Sequence, residues 1–292
     1  MQTNIDKELR ELILAKVLQK KELAHLSKDF TKQQLEKYIS ENLKTYRKFK
    51  EKYNSSKEKI EKSKQLKTII KEVRAKLRAV FGVFYNTGFE NVTKLINKIT
   101  SENADIICFD ILKLHKSSDE RLRNYEEIYD NINAIIKIKP QKILDLACGF
   151  NPFSYFFIEE SFGCKPEYIC CDISNKDIDN INLFFKKIKI SGTAFICDLS
   201  NQYEQLKDIS CDICFLFKTL DSLETNKKNV SEQVLQNINS KYVVVSFPSI
   251  SIGNKKKIPK ERRAWFYNLI EKLNYTYSEF EIHNELFIVI EK

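Results

Sequence analysis

The chain has 292 residues, 42% of them hydrophobic, and its 49 Lys and Arg against 40 Asp and Glu give a formal charge of +9. That length and apolar content suit one large domain or two modest ones with a real core. With no long apolar run and a charged, amphipathic opening stretch, a membrane span and a secretory signal are not expected and the cytoplasm is the default address. The surplus of positive charge favours a polyanionic partner without requiring one.

In chain order, residues 1–138 read as a helical domain. Leu9, Leu12, Ile13 and Val17 form one apolar stripe at helical spacing, and Leu66, Ile69, Ile70, Val73 and Leu77 form another. The second stripe lies in a basic run from Lys44 to Arg78, whose periodicity predicts a long basic helix. Asn86-Thr87-Gly88 is a break. Ser117-Ser118-Asp119-Glu120 has the look of a helix start, with acids in the first turn, and predicts a helix from Asp119 to Ile136.

From Pro140 the texture changes to short β-rich runs separated by helix-length segments: KILDLA, EYICCDI, TAFICDL, CDICFLF, KYVVVSF, then YTYSEFEI and ELFIVIE. Five strands alternating with helices, closed by two strands with a short turn, predict a mainly parallel sheet over residues 139–292. Cys148, Cys170, Cys171, Cys197, Cys211 and Cys214 fall mostly in these runs and read as reduced core residues. Cys211 and Cys214 have CxxC spacing, but no second pair joins them and His25, His115 and His283 are scattered. No metal is expected.

Ligands of such sheets sit at the carboxyl ends of the strands. Gly149 follows the first strand and lets a backbone approach a ligand; Asp172, at the end of the second, can bind both hydroxyls of a ribose. Asp198 and Leu199 follow the third, where a carboxylate can accept from an adenine amine and a leucine can pack on the ring. The loop "DLACGFNPFS" argues against a dinucleotide. A pyrophosphate wants several glycines and exposed N–H groups, whereas this loop has one glycine and an Asn151-Pro152 that removes a donor. S-adenosylmethionine has no phosphate and needs one close approach. On these residues alone an ordinary strand-to-helix turn stays open.

The same loop resembles the methionine-cofactor loop of the aminoglycoside-resistance 16S rRNA (guanine-1405 N7) methyltransferases. "HKSSDERL" (His115–Leu122), "CDIS", "FLFKTLDSLE" (Phe215–Glu224), "VVSFPSISIG" (Val244–Gly253), "AWF" (Ala264–Phe266) and "NELFIVIEK" (Asn284–Lys292) are similar to further family segments in the same order. The resemblance covers about residues 75–292. It implies an α/β, Rossmann-like class I S-adenosylmethionine-dependent methyltransferase domain with a mixed seven-stranded sheet, preceded by an N-terminal helical domain. It further implies that Arg121 binds the cofactor carboxylate, that His115, Lys116 and Ser117 line the pocket, and that Gly149, Asp172, Asp198, Leu199 and Phe217 contact the cofactor. Phe84 has two readings, a cover for the pocket or a plain core aromatic.

The implied substrate is 16S rRNA in the 30S ribosomal subunit. Guanine N7 carries a lone pair and no proton, so no general base is expected and the site's task is positioning. The target base must leave its stack. Phe247 and Trp265 are the candidate walls for it, with Pro248 stiffening their loop. Lys255, Lys256, Lys257, Lys260, Arg262 and Arg263, with lysines of the Lys44 to Arg78 run, are candidate phosphate contacts, although a solvated charged face is the commoner fate of such runs. One departure stands out: where the family often has a basic residue after Ser-Phe-Pro-Thr, this chain has Ile250. The alternatives are a methyltransferase for another RNA base or a small molecule, and a non-catalytic RNA-binding platform.

Overall fold

A computed structural model describes residues 2–21, 23–55, 57–78, 84–250 and 257–292, with side chains for all of these except 2–4, 57–59, 226 and 260. The chain divides into two compact units, residues 1–85 with 173–176, and residues 86–172 with 177–292. The boundary expected at 138 therefore falls inside the second unit. The reason is packing: the helix just before the first strand lies against the helix just after it.

The first unit contains helices α1 (Gln2–Val17), α2 (Lys28–Glu41), α3 (Leu43–Ser55) and α4 (Lys64–Leu77). Both predicted stripes point inward: Leu9, Ile13 and Val17 join Leu66, Ile69, Val73 and Leu77 in one buried cluster with Leu35, Tyr38 and Phe49. Each such side chain contributes about 1.5–3 kcal/mol of burial. The basic run is not one helix. It breaks after Ser55 into a 3-10 stretch, Lys57–Lys62, and restarts where Ser63 Oγ accepts the Leu66 N–H at 3.2 Å. Residues 173–176 belong to this unit through Ile173, whose carbonyl accepts the Ser27 N–H at 2.9 Å, and Asn175, whose N–H donates to His25 O at 3.0 Å.

In the second unit, α5 (Val92–Asn97), α6 (Ala104–Leu112), α7 (Lys116–Arg121) and α8 (Tyr125–Ile136) precede the sheet. The single helix expected from Asp119 to Ile136 is two, interrupted before Tyr125 by Asn124 in a non-helical conformation. Strands β1 (Lys142–Leu146), β2 (Glu167–Asp172), β3 (Gly192–Ile196), β4 (Ser210–Phe217), β5 (Asn239–Pro248), β6 (Thr276–Ile282) and β7 (Glu285–Glu291) form one sheet in the order β3-β2-β1-β4-β5-β7-β6. The first five are parallel, and β7 runs antiparallel between β5 and β6.

Period-two alternation splits β1 between two cores. Leu144 and Leu146 join Val243, Val245, Phe266 and Ile270 in the cluster on one face. The opposite face carries Asp145, and there Tyr129 of α8 packs 5.9 Å from Phe215 while Tyr168 meets Phe185 at 6.0 Å. The strand order reverses at β1, between β2 and β4, so the crevice for a ligand opens past the carboxyl ends of β1 and β4.

Candidate active site

The turn after β1 is built from the inside. Asn151 is buried and its amide donates to Asp145 Oδ2 at 2.9 Å and to Tyr168 Oη at 3.3 Å; Tyr168 in turn donates to Asp145 at 2.7 Å. Burial pushes the Asp145 carboxyl up to about 6 despite these donors. Pro152 follows Asn151 within a 3-10 turn, Asn151–Ser154, where its missing N–H is no loss. The Asn-Pro of the sequence is thus a strut, with the Asn151 side chain aimed at the sheet.

Gly149 has φ +50, and a Cβ there would lie 3.0 Å from His115 Cε1. Only glycine fits both the conformation and the space. Its N–H donates to Asp172 Oδ2 at 3.0 Å, which ties the ends of β1 and β2 together. Ala147 and Lys218, at the ends of β1 and β4, also have positive φ, 51° and 53°. Such conformations cost a β-carbon residue roughly 1–2 kcal/mol each and cluster where a scaffold holds a functional shape.

His115 precedes α7, with its ring 5.2 Å from Phe150. Burial, with Arg121 and Lys218 nearby, lowers it to about 3, so it is neutral at physiological pH. Lys116 and Ser117 open α7 and are half-buried. Arg121 closes it at 3% exposure, with the guanidinium 4.8 Å over the Phe217 ring. Its Nε donates to both carboxylate oxygens of Glu285 at 3.0 Å. Arg121 Nη2 is 2.9 Å from Glu285 Oε1 but has no aligned hydrogen bond.

Glu285 is a residue that sequence reasoning missed. Besides Arg121 it takes the Ser246 hydroxyl and sits 3.0 Å from Lys218 Nζ, which also reaches Glu120 at 2.6 Å. Burial disfavours its charge, but Arg121 and Lys218 outweigh that and hold its pKa below the usual carboxylate range. The available signal was a lone carboxylate opening the apolar strand ELFIVI.

At the end of β3, Asp198 is the pivot of a turn. Its Oδ1 accepts the Ser200 N–H at 2.9 Å and its Oδ2 the Asn201 amide at 2.8 Å, and a carboxylate oxygen can accept more than one donor. Leu199 is buried in the core cluster that includes Leu206 and Leu220. Phe84 lies in the first unit and is half-buried.

Two expectations do not survive in their original form. Phe247 is 0% exposed, enclosed by Phe266 at 4.9 Å and Trp265 at 6.3 Å, so it has no face to offer a base. Trp265 is partly buried on the same cluster, and Pro248, half-buried, ends β5. Arg263 is 3% exposed; it donates to the Pro248 carbonyl and lies 5.7 Å over the Phe247 ring. It fastens the end of β5 and does not face phosphate. Arg262 and Lys257 are exposed, while Lys255 and Lys256 lie outside the described residues, as does the Lys260 side chain. Lys257 forms an antiparallel bridge with Ile250, so a basic side chain returns beside the position where the expected one is missing.

All eight cysteines are thiols, and among the described residues no group of three or more His, Cys, Asp and Glu is arranged to hold a metal. No helix among them is long and apolar enough to cross a membrane.

The sheet order with its antiparallel β7, the one-glycine turn after β1 and the acid ending β2 define a Rossmann-like class I methyltransferase. Comparison with known proteins narrows this. The model of the ribosomal RNA methyltransferase (FmrO) family matches residues 37–290, and the chain belongs to that family. It is similar to the 16S rRNA (guanine(1405)-N(7))-methyltransferase of Micromonospora rosea, 26% identical over 237 residues that cover 76% of this chain and 82% of that one. The enzyme of the same name from Proteus mirabilis is 28% identical over 206 residues, 65% of this chain and 71% of that one. Among solved structures, 16S rRNA methyltransferase RmtF in complex with S-adenosyl-L-homocysteine shares the fold with a TM-score of 0.73 at 19% identity, covering 97% of this chain and 98% of that one. The 16S rRNA methylase ArmA gives 0.54 at 25% identity, over 70% of this chain and 97% of that one.

Proposed function

We propose that this chain methylates N7 of guanine 1405 in the decoding region of 16S rRNA within the small ribosomal subunit, and so confers aminoglycoside resistance. The observation that carries the reading is the family match over residues 37–290, on a chain with Gly149 and Asp172 at the ends of β1 and β2 and a buried Arg121 at the end of α7.

The residues fit S-adenosylmethionine. The turn at Gly149 lets a ligand approach backbone. Asp172, already anchored by the Gly149 N–H, has the chemistry to accept ribose hydroxyls. Arg121 Nη2, buried without an aligned acceptor, suits an amino-acid carboxylate. Asp198 and Leu199 would border the adenine, with Phe217 beneath Arg121 and His115, Lys116 and Ser117 along the wall. Bound there, the cofactor supplies a methyl group on a sulfonium.

This chain's residues then have three tasks. Arg121, Asp172 and the Gly149 turn fix the cofactor's orientation; neutral His115 packs the pocket without adding a second charge; the end of β5 receives the base and excludes water. No proton must be removed from N7, so a site without a general base is sufficient. Lys257, exposed and bridged to Ile250, together with Arg262, is the best-supported phosphate contact beside the β5 end. The buried Arg263, which donates to the Pro248 carbonyl, holds that end in place.

Transfer of a radiolabelled methyl from S-adenosylmethionine to small ribosomal subunits tests the proposal. Incorporation into 16S rRNA, lost in Asp172→Ala, is the expected result. Labelling of a small metabolite and never of RNA would contradict it.

A further inference from the structure

Helix α6 reads ADIICFDIL and is apolar on more than one side. Ala104, Ile107, Cys108, Ile111 and Leu112 are buried, yet Ile106 is 61% and Phe109 38% exposed on the outer side. A water-facing helix ordinarily carries polar residues there, and a contiguous apolar patch with a polar rim marks an interaction surface. Ile106 and Phe109 are joined by Phe153, Phe156 and Phe157 in lining a cavity of about 460 Å³.

The rim decides which partner fits. Asp105, Asp110 and Glu160 border the cavity with one cation, Lys113, which is paired with Asp110 at 2.9 Å and lies 4.7 Å over the Phe109 ring. On a chain of net charge +9 this local excess of carboxylates runs against the general sign. A phosphate backbone is repelled by it, and a neutral apolar partner leaves the carboxylates unused. A lysine- or arginine-rich polypeptide with one large apolar side chain matches both features: the apolar group enters among the phenylalanines and the flanking cations meet Asp105 and Glu160. We infer that this cavity docks a basic polypeptide segment anchored by one large apolar side chain. The cavity takes Phe153 from the turn after β1, but none of its lining residues is among those that hold the cofactor in the methyltransferase reading, so its occupant is a second contact and not the methyl acceptor.

Fluorescence anisotropy of the full-length protein tests this with a labelled lysine-rich nonapeptide carrying one central phenylalanine, and the same peptide with serine in its place. The phenylalanine peptide should bind at least about tenfold more tightly, the worth of one buried aromatic. That preference should vanish in Phe109→Ser and in Ile106→Ser, whose exposed positions leave folding intact as checked by thermal unfolding. Asp105→Asn with Glu160→Gln should weaken binding about threefold or more, and less so at high salt. Equal binding of the two peptides, no binding, or indifference to both apolar substitutions would overturn the inference. So would direct binding of labelled oligouridylate that Ile106→Ser and Phe109→Ser abolish, which makes RNA the occupant, or a concentration-dependent dimer abolished by Ile106→Ser, which makes it a second copy of this chain.

Discussion

Glu285 shows how one buried carboxylate can organise a site from a distance in sequence. It pairs with buried Arg121 and with Lys218, and because Lys218 also reaches Glu120, removing it leaves Arg121 as the buried cation that loses its carboxylate. Glu285→Ala should therefore cost on the order of 3–5 kcal/mol in urea unfolding at pH 7. Asp172→Asn should act on function instead, weakening S-adenosylhomocysteine binding on the order of tenfold in calorimetry while altering stability much less. Titration adds a third test. His115 is lowered from 6.5 to about 3, so the unfolded chain takes up a proton below pH 6.5 that the native state refuses, and stability falls with pH over that window. Asp145, raised from 3.8 to about 6, has the opposite slope between those values, because the native state holds its proton longer. Urea midpoints measured from pH 6.5 to 5 should drop less steeply in His115→Asn than in the parent chain. At this scale the sequence was legible for groups defined by chemistry at a strand end, such as Gly149 and Asp172. It misled for Phe247 and Arg263, because β5 is buried on both faces and the helix Ala264–Lys272, with Arg263 just before it, packs over Phe247, which no local pattern reveals.

The element that most directly shapes the site is the turn between β1 and α9 (Tyr155–Phe162). Asn151→Ala removes a donor from buried Asp145 and should cost about 1–3 kcal/mol, read as a shifted urea midpoint. Gly149→Ala meets both the positive φ and the His115 ring, so it should reduce cofactor affinity along with stability. The unusual Asn-Pro was visible in the sequence as a departure from a dinucleotide loop, but the partner of Asn151 was not, since Asp145 and Tyr168 come from two different strands. Helix boundaries failed for a related reason. The Lys44 to Arg78 periodicity runs through the Ser63 cap, and the 119–136 periodicity runs through Asn124, because apolar spacing persists across a short interruption when both pieces pack on one core.

For the whole molecule, the strand alternation predicted the sheet and its antiparallel closure, and the ordered motifs predicted the family; the compact units divide elsewhere than the change of texture suggested. Texture reports secondary structure, whereas a unit is defined by burial, and α8 buries its stripe with the sheet-bearing unit. The net charge belongs to this scale too. If binding is led by phosphate contacts, the logarithm of kcat/KM should fall linearly with the logarithm of salt concentration, and Lys257→Gln should lower that slope by about one. The most direct test of the central claim is to incubate the protein with 30S subunits and S-adenosylmethionine, then map the modified nucleotide by borohydride and aniline cleavage of the 16S rRNA. Strand scission at guanine 1405, absent without the cofactor, is the predicted result; no scission, or scission at a different guanine, would contradict it.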